Sequence, residues 1–261
     1  MTGSHAPFQN RYLSLSKLVR NCLMAFNKSA AVIRKYAKLP PKIGIAMATA
    51  SYIPGSESEK DIAKVRRDTF YSLYGAMSNR LFGDPLILGK PTRVSGIYHI
   101  GKKDIPRIQT KLDFLGLNVY APNVKNQKDY PAEKRNYMGW INDGRCIYWA
   151  LRFFYERYGL PLMITENGTC VEDTLTADGH IHDEKRMTYM KDYIGNVKRA
   201  VDEGIPVLGF QYWSLMDNFE WAEGYGPRFS LIHADYATQE RVLKDSAAFY
   251  SQVIASNGAS I

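Results

Sequence analysis

Pro161-Leu162-Met163-Ile164-Thr165-Glu166-Asn167-Gly168 is the stretch of the 261-residue sequence that decides its fold. Four apolar or β-branched residues run into an acid, and Asn-Gly then turns the chain away. Like the apolar run Ile43 to Ala50, which reads as a strand buried on both faces, this short strand belongs in a parallel sheet. It delivers Glu166 at its C-terminal end, the edge where such folds collect functional groups. Helical patterns flank it, over Gly144 to Tyr158 and Asp183 to Asp202. Further out, strand-like runs at Ile43 to Ala50, Phe114 to Tyr120 and Val207 to Trp213 alternate with helical patterns from Leu15 to Ile33, Asp61 to Arg80 and Asp245 to Ser256. Pro40-Pro41 stops the first helix, and Pro54-Gly55-Ser56 reads as a loop. Thr92 to Gln109 has no clear period and contains Gly96, Gly101 and Pro106, so it reads as a long connection. Strand and helix pairs in strict succession predict parallel βαβ units joined by right-handed crossovers. Their number predicts an incomplete α/β barrel of the TIM (β/α)8 type, half of the full ring.

Composition supports one unit. Hydrophobic residues make up 45% and aromatic residues 13% of the chain, enough to bury a sizeable core, and no internal repeat, low-complexity tract or linker divides it. Cys22, Cys146 and Cys170 are the only cysteines and form no CxxC pair, which speaks against a disulfide framework or a zinc site and for a reducing compartment. Met1 to Phe8 shows no apolar run behind a basic stretch, and nowhere do the roughly 18 uninterrupted apolar residues of a membrane helix occur. The expectation is a soluble, cytoplasmic chain with no membrane partner. The net charge of +8 is spread over Lys17, Arg20, Lys28, Arg34, Lys35, Lys38 and Lys42 around amphipathic segments, so it reads as solvated surface and not as a nucleic-acid site.

Three segments place polar groups at strand ends. Glu166 is the first, although a lone Glu is as readily a capping or surface residue. The second is Trp213-Ser214-Leu215-Met216-Asp217-Asn218-Phe219-Glu220-Trp221, with Tyr225, Arg228 and Phe229 behind it. An indole face covers the apolar face of a pyranose and a carboxylate accepts from paired hydroxyls, so this segment suits a sugar; a buried aromatic cluster is the alternative. In the third, Asp113 to Tyr120, Asn118 and Tyr120 lie two apart on a strand and share a side, where Tyr120 is either a site residue or an ordinary core-edge tyrosine. His180 and His182 form an HxH on a loop with no third ligand near in sequence, and no metal or cofactor is expected.

Together these segments resemble glycoside hydrolase family one, the β-glucosidase family, from about His5 to Ser256. Ile164 to Gly168 looks like its nucleophile motif, and Trp213 to Trp221 like its glycone-binding motif, with Tyr225, Arg228, Phe229, His233, Asp235 and Tyr236 in register. Asp113 to Tyr120 is similar to a further family strand, with Val119 where an aromatic is common. The resemblance implies that Glu166 is the nucleophile of a retaining β-glycosidase and that Tyr120 hydrogen-bonds and tunes it. It implies that Trp213 stacks under the sugar, Glu220 binds the 4- and 6-hydroxyls, Trp221 the 3-hydroxyl, Phe229 lines the pocket and Asn118 supports the subsite. Glu220 favours a non-phosphorylated β-glucoside or related small saccharide as the partner.

A retaining glycosidase needs a second carboxylate about 5–5.5 Å from the first. In this family the resemblance places it in an Asn-Glu-Pro motif at the end of the fourth strand, and no Asn-Glu-Pro occurs in this sequence. Residues 1–261 therefore read as a single C-terminal, half-barrel portion of a catalytic domain, covering roughly strands five to eight with their helices. Two functions follow: a β-glycosidase completed by a complementary N-terminal half, or an inactive half-barrel that binds sugar or serves assembly. Exposed edges near Ile43 and Val207 invite self-association in either case.

Overall fold

The computed structural model describes residues 14–73, 79–126, 128 and 130–261. The N-terminal reading of Met1 to Phe8, and residues 74–78 of the helix expected over Asp61 to Arg80, lie outside the described residues.

Helix α1 (Leu15–Tyr36) precedes strand β1 (Gly44–Thr49) and helix α2 (Glu59–Tyr71). Ser58 caps α2 by accepting from the Asp61 amide, and Glu59 and Asp61 complement the positive end of the helix. Two short strands follow, β2 (Thr92–Val94) and β3 (Tyr98–Ile100). The rest is regular: β4 (Phe114–Val119), α3 (Arg145–Tyr158), β5 (Leu162–Asn167), α4 (Glu184–Asp202), β6 (Val207–Tyr212), β7 (Ile232–Ala234), β8 (Arg241–Leu243) and α5 (Asp245–Ala255). Strands β1, β4, β5 and β6 form one parallel sheet in that order, so each strand lies beside its predecessor, the winding of a β/α barrel over four strands.

Helices cover one face of the sheet. Leu115, Leu117, Val119, Leu162 and Ile164 point into a core with Ile147, Leu151 and Phe154 of α3 and Tyr189, Tyr193 and Val197 of α4. Each large apolar side chain buried there stabilises the fold by about 1.5–3 kcal/mol. On β1 and β6, Ala46, Ala48, Leu208 and Gln211 are exposed. The expectation of cover on both faces is thus corrected: with four strands the concave face is open. A second core joins Leu15, Val19 and Leu23 of α1 to Val94, Tyr98 and Ile100.

Thr92 to Gln109 is also not the irregular connection its composition suggests. β2 and β3 pair as an antiparallel hairpin, with Ser95 and Gly96 at positive φ in its turn and Thr92, Val94, Tyr98 and Ile100 buried; Ile105–Ile108 is a turn of helix. Three-residue strands are too short for a period to register.

Candidate active site

Glu166 reaches the open face through an irregularity in β5. Leu117 pairs with Ile164, but the next residue, Asn118, pairs with Glu166, so Thr165 is an extra residue in β5. In a regular strand Glu166 would share the helix-covered side with Ile164. The bulge instead lets two successive side chains engage the same side of β4: the Thr165 hydroxyl donates to Asn118 Oδ1 at 2.6 Å, and the Tyr120 hydroxyl donates to Glu166 Oε2 at 2.9 Å. Burial, and then the Glu166 carboxylate beside it, push the Tyr120 phenol far above its ordinary range. It stays protonated and acts toward Glu166 as a donor.

The backbone around this pair is held from behind. Asn167 is fully buried and donates from Nδ2 to the Val119 carbonyl at 2.6 Å and to the Tyr189 hydroxyl at 2.8 Å. Tyr189 and Tyr193 stack with ring centroids 3.9 Å apart, and Tyr193 donates to the Tyr120 carbonyl at 2.8 Å. Gly168 does not turn the chain, as the Asn-Gly reading expects; it is absent from the residues at positive φ. Its role is close approach: a Cβ there would lie 2.0 Å from the Trp213 carbonyl oxygen, and the Trp213 amide donates to the Asn167 carbonyl at 2.7 Å. The ends of β5 and β6 are thereby locked together.

Phe229 is buried and packs 6.3 Å from Tyr120, while Glu220 lies close enough for its charge to raise the Tyr120 phenol further. Trp213, at the end of β6, is half-buried. Trp221 is 68% exposed on a turn at Trp221–Glu223, at positive φ and outside the aromatic contacts made by Tyr120 and Phe229. Sequence reasoning missed Trp140. Its ring lies 5.6 Å from Tyr120 and 5.8 Å from Phe229, closing an aromatic triangle beside Glu166. Asn136 shapes that loop by accepting from the Met138 and Trp140 amides. A tryptophan in a turn-rich stretch was the available signal.

Two surface clefts, of about 290 and 320 Å³, lie elsewhere: one is lined by Tyr52, Asp61 and Lys125, the other by Arg66, Phe70 and Arg157, and neither includes Glu166. His180 and His182 sit on an exposed loop, where both ring nitrogens of His182 are engaged, by Asp245 at 2.6 Å and Asp178 at 3.1 Å. Asp173, Asp217 and His233 bring ligand atoms within 4.8 Å of one another, but the Lys244 ammonium already lies 2.5 Å from Asp173 and 3.1 Å from Asp217. No described helix is long and apolar enough to cross a membrane.

A β/α sheet bearing a phenol-held carboxylate and aromatic walls at its C-terminal edge has the make-up of a small-molecule site. The family model for glycosyl hydrolase family 1 matches residues 1–259, and the chain belongs to that family. It is 38% identical to beta-glucosidase A of Thermotoga maritima, over 98% of this chain and 60% of that protein. It is 36% identical to a 1,4-beta-D-glucan glucohydrolase of Thermotoga neapolitana, with the same coverage of 98% and 60%. The solved family 1 β-glucosidase from Thermotoga maritima superposes with a TM-score of 0.84 at 35% identity, covering 98% of this chain and 60% of that one. A complex of the Thermotoga maritima β-glucosidase with deoxynojirimycin gives 0.83, at 35% identity over 98% and 59% of the two chains. The chain thus spans about 60% of the length of these relatives, and its fold is a partial (β/α)8 barrel.

Proposed function

We propose that this chain carries the nucleophile half of a retaining β-glycosidase site acting on a β-glucoside or related small saccharide. Glu166 attacks the anomeric carbon, the bond from that carbon to the leaving oxygen breaks, and a glycosyl ester on Glu166 results. Tyr120 orients the attacking carboxylate. Trp213, Glu220, Trp221, Phe229 and Asn118 form the sugar subsite, and Glu220 selects a glycone without phosphate. The observation that carries this reading is the Glu166 carboxylate, turned by the bulge onto the open face and held by the Tyr120 phenol at 2.9 Å. Residues 1–261 are, in this reading, one portion of a single catalytic domain, the C-terminal one. The acid/base carboxylate comes from outside them, supplied by a complementary N-terminal half. Three free thiols support a cytoplasmic setting.

A leaving group that departs as a stable anion needs no general acid, so the test is a dinitrophenyl 2-fluoroglucoside. Mass spectrometry is expected to find the fluoroglucosyl adduct on the peptide containing Ile164 to Gly168, and Glu166→Gln is expected to remove it. General acid assistance is typically worth about 10²–10⁴-fold, so disaccharides turn over only with the complementary half present. An unlabelled peptide, even after a polypeptide supplying the first four strands is added, overturns the nucleophile assignment. A sugar-binding or assembly module is then what remains.

A further inference from the structure

Behind the sugar-side loop lies a buried ionic cluster that the chemistry above does not use. Asp173 from the segment after β5, Asp183 and Arg186 at the start of α4, Asp217 from the loop after β6, and Lys244 at the start of α5 all have fully buried charged groups. With Arg228 the charges balance, three carboxylates against three cations. His233, 3.5 Å from Asp217, is kept below its ordinary value by burial and by Arg228, so it leaves that balance unchanged.

The carboxylates of the cluster fall into two sets, already linked once by Arg186, which donates to the Arg228 backbone carbonyl at 2.8 Å. Arg186 binds Asp173 and Asp183, while Arg228 binds Asp217, which also accepts from Ser230 and the Ala234 amide. Lys244 joins them: among the described residues it is the side chain that bonds both Asp173 and Asp217. Its neighbours extend the join, since the Asp245 amide donates to the Ile181 carbonyl and Ser246 donates twice to Asp183. We propose that Lys244 is a positioning residue, whose ammonium fixes the 214–230 loop, and with it Glu220 and Trp221, relative to the strand end that bears Glu166. The sugar role of that loop rests on the function proposed above; the tether does not.

A buried ion pair often contributes little to stability compared with an apolar replacement, which leaves specification of a loop geometry as the use for this one. Charge balance and positioning are separable. In Lys244→Met, Asp173 and Asp217 are left under-compensated and general destabilisation is expected. In Lys244→Met with Asp173→Asn the charges balance again, but the Lys244 tether is gone and the Arg186 bond to the Arg228 carbonyl is what still holds the loop.

The test compares both variants with the unaltered chain by hydrogen exchange and by binding of deoxynojirimycin, followed through tryptophan fluorescence. In the double variant the melting temperature is expected to return toward that of the unaltered chain. Exchange at the Asp217, Leu231 and Ile232 amides, which close the loop, is expected to stay at least about tenfold faster. Deoxynojirimycin affinity is expected to fall by roughly ten- to a hundredfold. A double variant that matches the unaltered chain in loop exchange makes Lys244 a charge-balancing residue only and overturns the proposal. So does an increase in exchange spread evenly over α3, α4 and the loop. If the unaltered chain binds no deoxynojirimycin, loop exchange alone decides the tether, and the function proposed above stands or falls on the labelling experiment with the complementary half.

Discussion

Glu166 and Tyr120 meet because one extra residue, Thr165, interrupts the alternation of β5. A hydrogen bond to a charged group contributes about 1.5–3 kcal/mol, so Tyr120→Phe is expected to slow covalent labelling of Glu166 by roughly tenfold or more while the protein remains folded. An unchanged labelling rate would leave Tyr120 as an ordinary core-edge tyrosine. Gly168→Ala forces a methyl against the Trp213 carbonyl; overpacking of this kind costs about 1–3 kcal/mol, read as a lower urea midpoint. The cysteines differ as their burial dictates: Cys22 is exposed, Cys146 and Cys170 are buried, and burial pushes the Cys170 thiol up to about 11. A thiol reagent is expected to titrate one cysteine in the native protein and all 3 in denaturant. Glu166, Tyr120 and Phe229 were legible as residue types at strand ends and beside a sugar-like motif. The bulge was not, because an extra residue in a strand has no composition of its own. Trp140 was not either, because its loop carries no period.

At the scale of elements, α4 does more than cover the sheet. Its stacked Tyr189 and Tyr193 hold the carbonyl of Tyr120 and the side chain of Asn167, so a helix fixes the backbone of two strand ends. Tyr193→Phe keeps the stack but leaves the Tyr120 carbonyl and the Asp143 amide without that hydroxyl; a loss of about 1–3 kcal/mol in unfolding free energy is expected. The loop between β5 and α4 is fastened to α5 by His182, whose value is raised by Asp245 first and by Asp178. A raised folded-state value stabilises fully below the unfolded value, near pH 6.5, and the benefit fades as pH rises through the folded value. The gap in melting temperature between the unaltered chain and His182→Asn is therefore expected to be widest near about pH 6 and to narrow toward about pH 8. A gap independent of pH would show that His182 acts through packing. The long helices and the four parallel strands were readable because apolar spacing of 3.6 and short apolar runs persist over several residues. The hairpins β2–β3 and β7–β8 escaped that reading, since three residues per strand give at most one alternation.

Across the whole molecule, the sheet has ends. Among the described residues β1 and β6 each have one strand neighbour, so their outer edges present unpaired backbone groups, and Leu208 of β6 is 60% exposed on the open face. Parallel edge strands of apolar sequence are templates for pairing with another chain; β1 is one, and β6 is another despite its irregular register against β5 and the bond from the Tyr250 hydroxyl of α5 to its Phe210 carbonyl. Opposing this is the net charge of +8, which makes like copies repel at a distance. The two effects differ in salt dependence: screening removes the repulsion beyond about 8–10 Å at physiological ionic strength, while strand pairing and apolar contact persist. Light scattering behind a sizing column is therefore expected to give a mass above 29.7 kDa that grows with protein concentration and with added salt. Leu208→Lys places a charge on the open face at a solvated position, so it is expected to lower the association without lowering the melting temperature. A complementary polypeptide that pairs with β1 and β6 is expected to suppress association by occupying the same edges. A sharp 29.7 kDa peak at every concentration and salt level, with cooperative melting, would mean that the open edges are tolerated and that neither self-association nor a complementary half is needed for a stable fold.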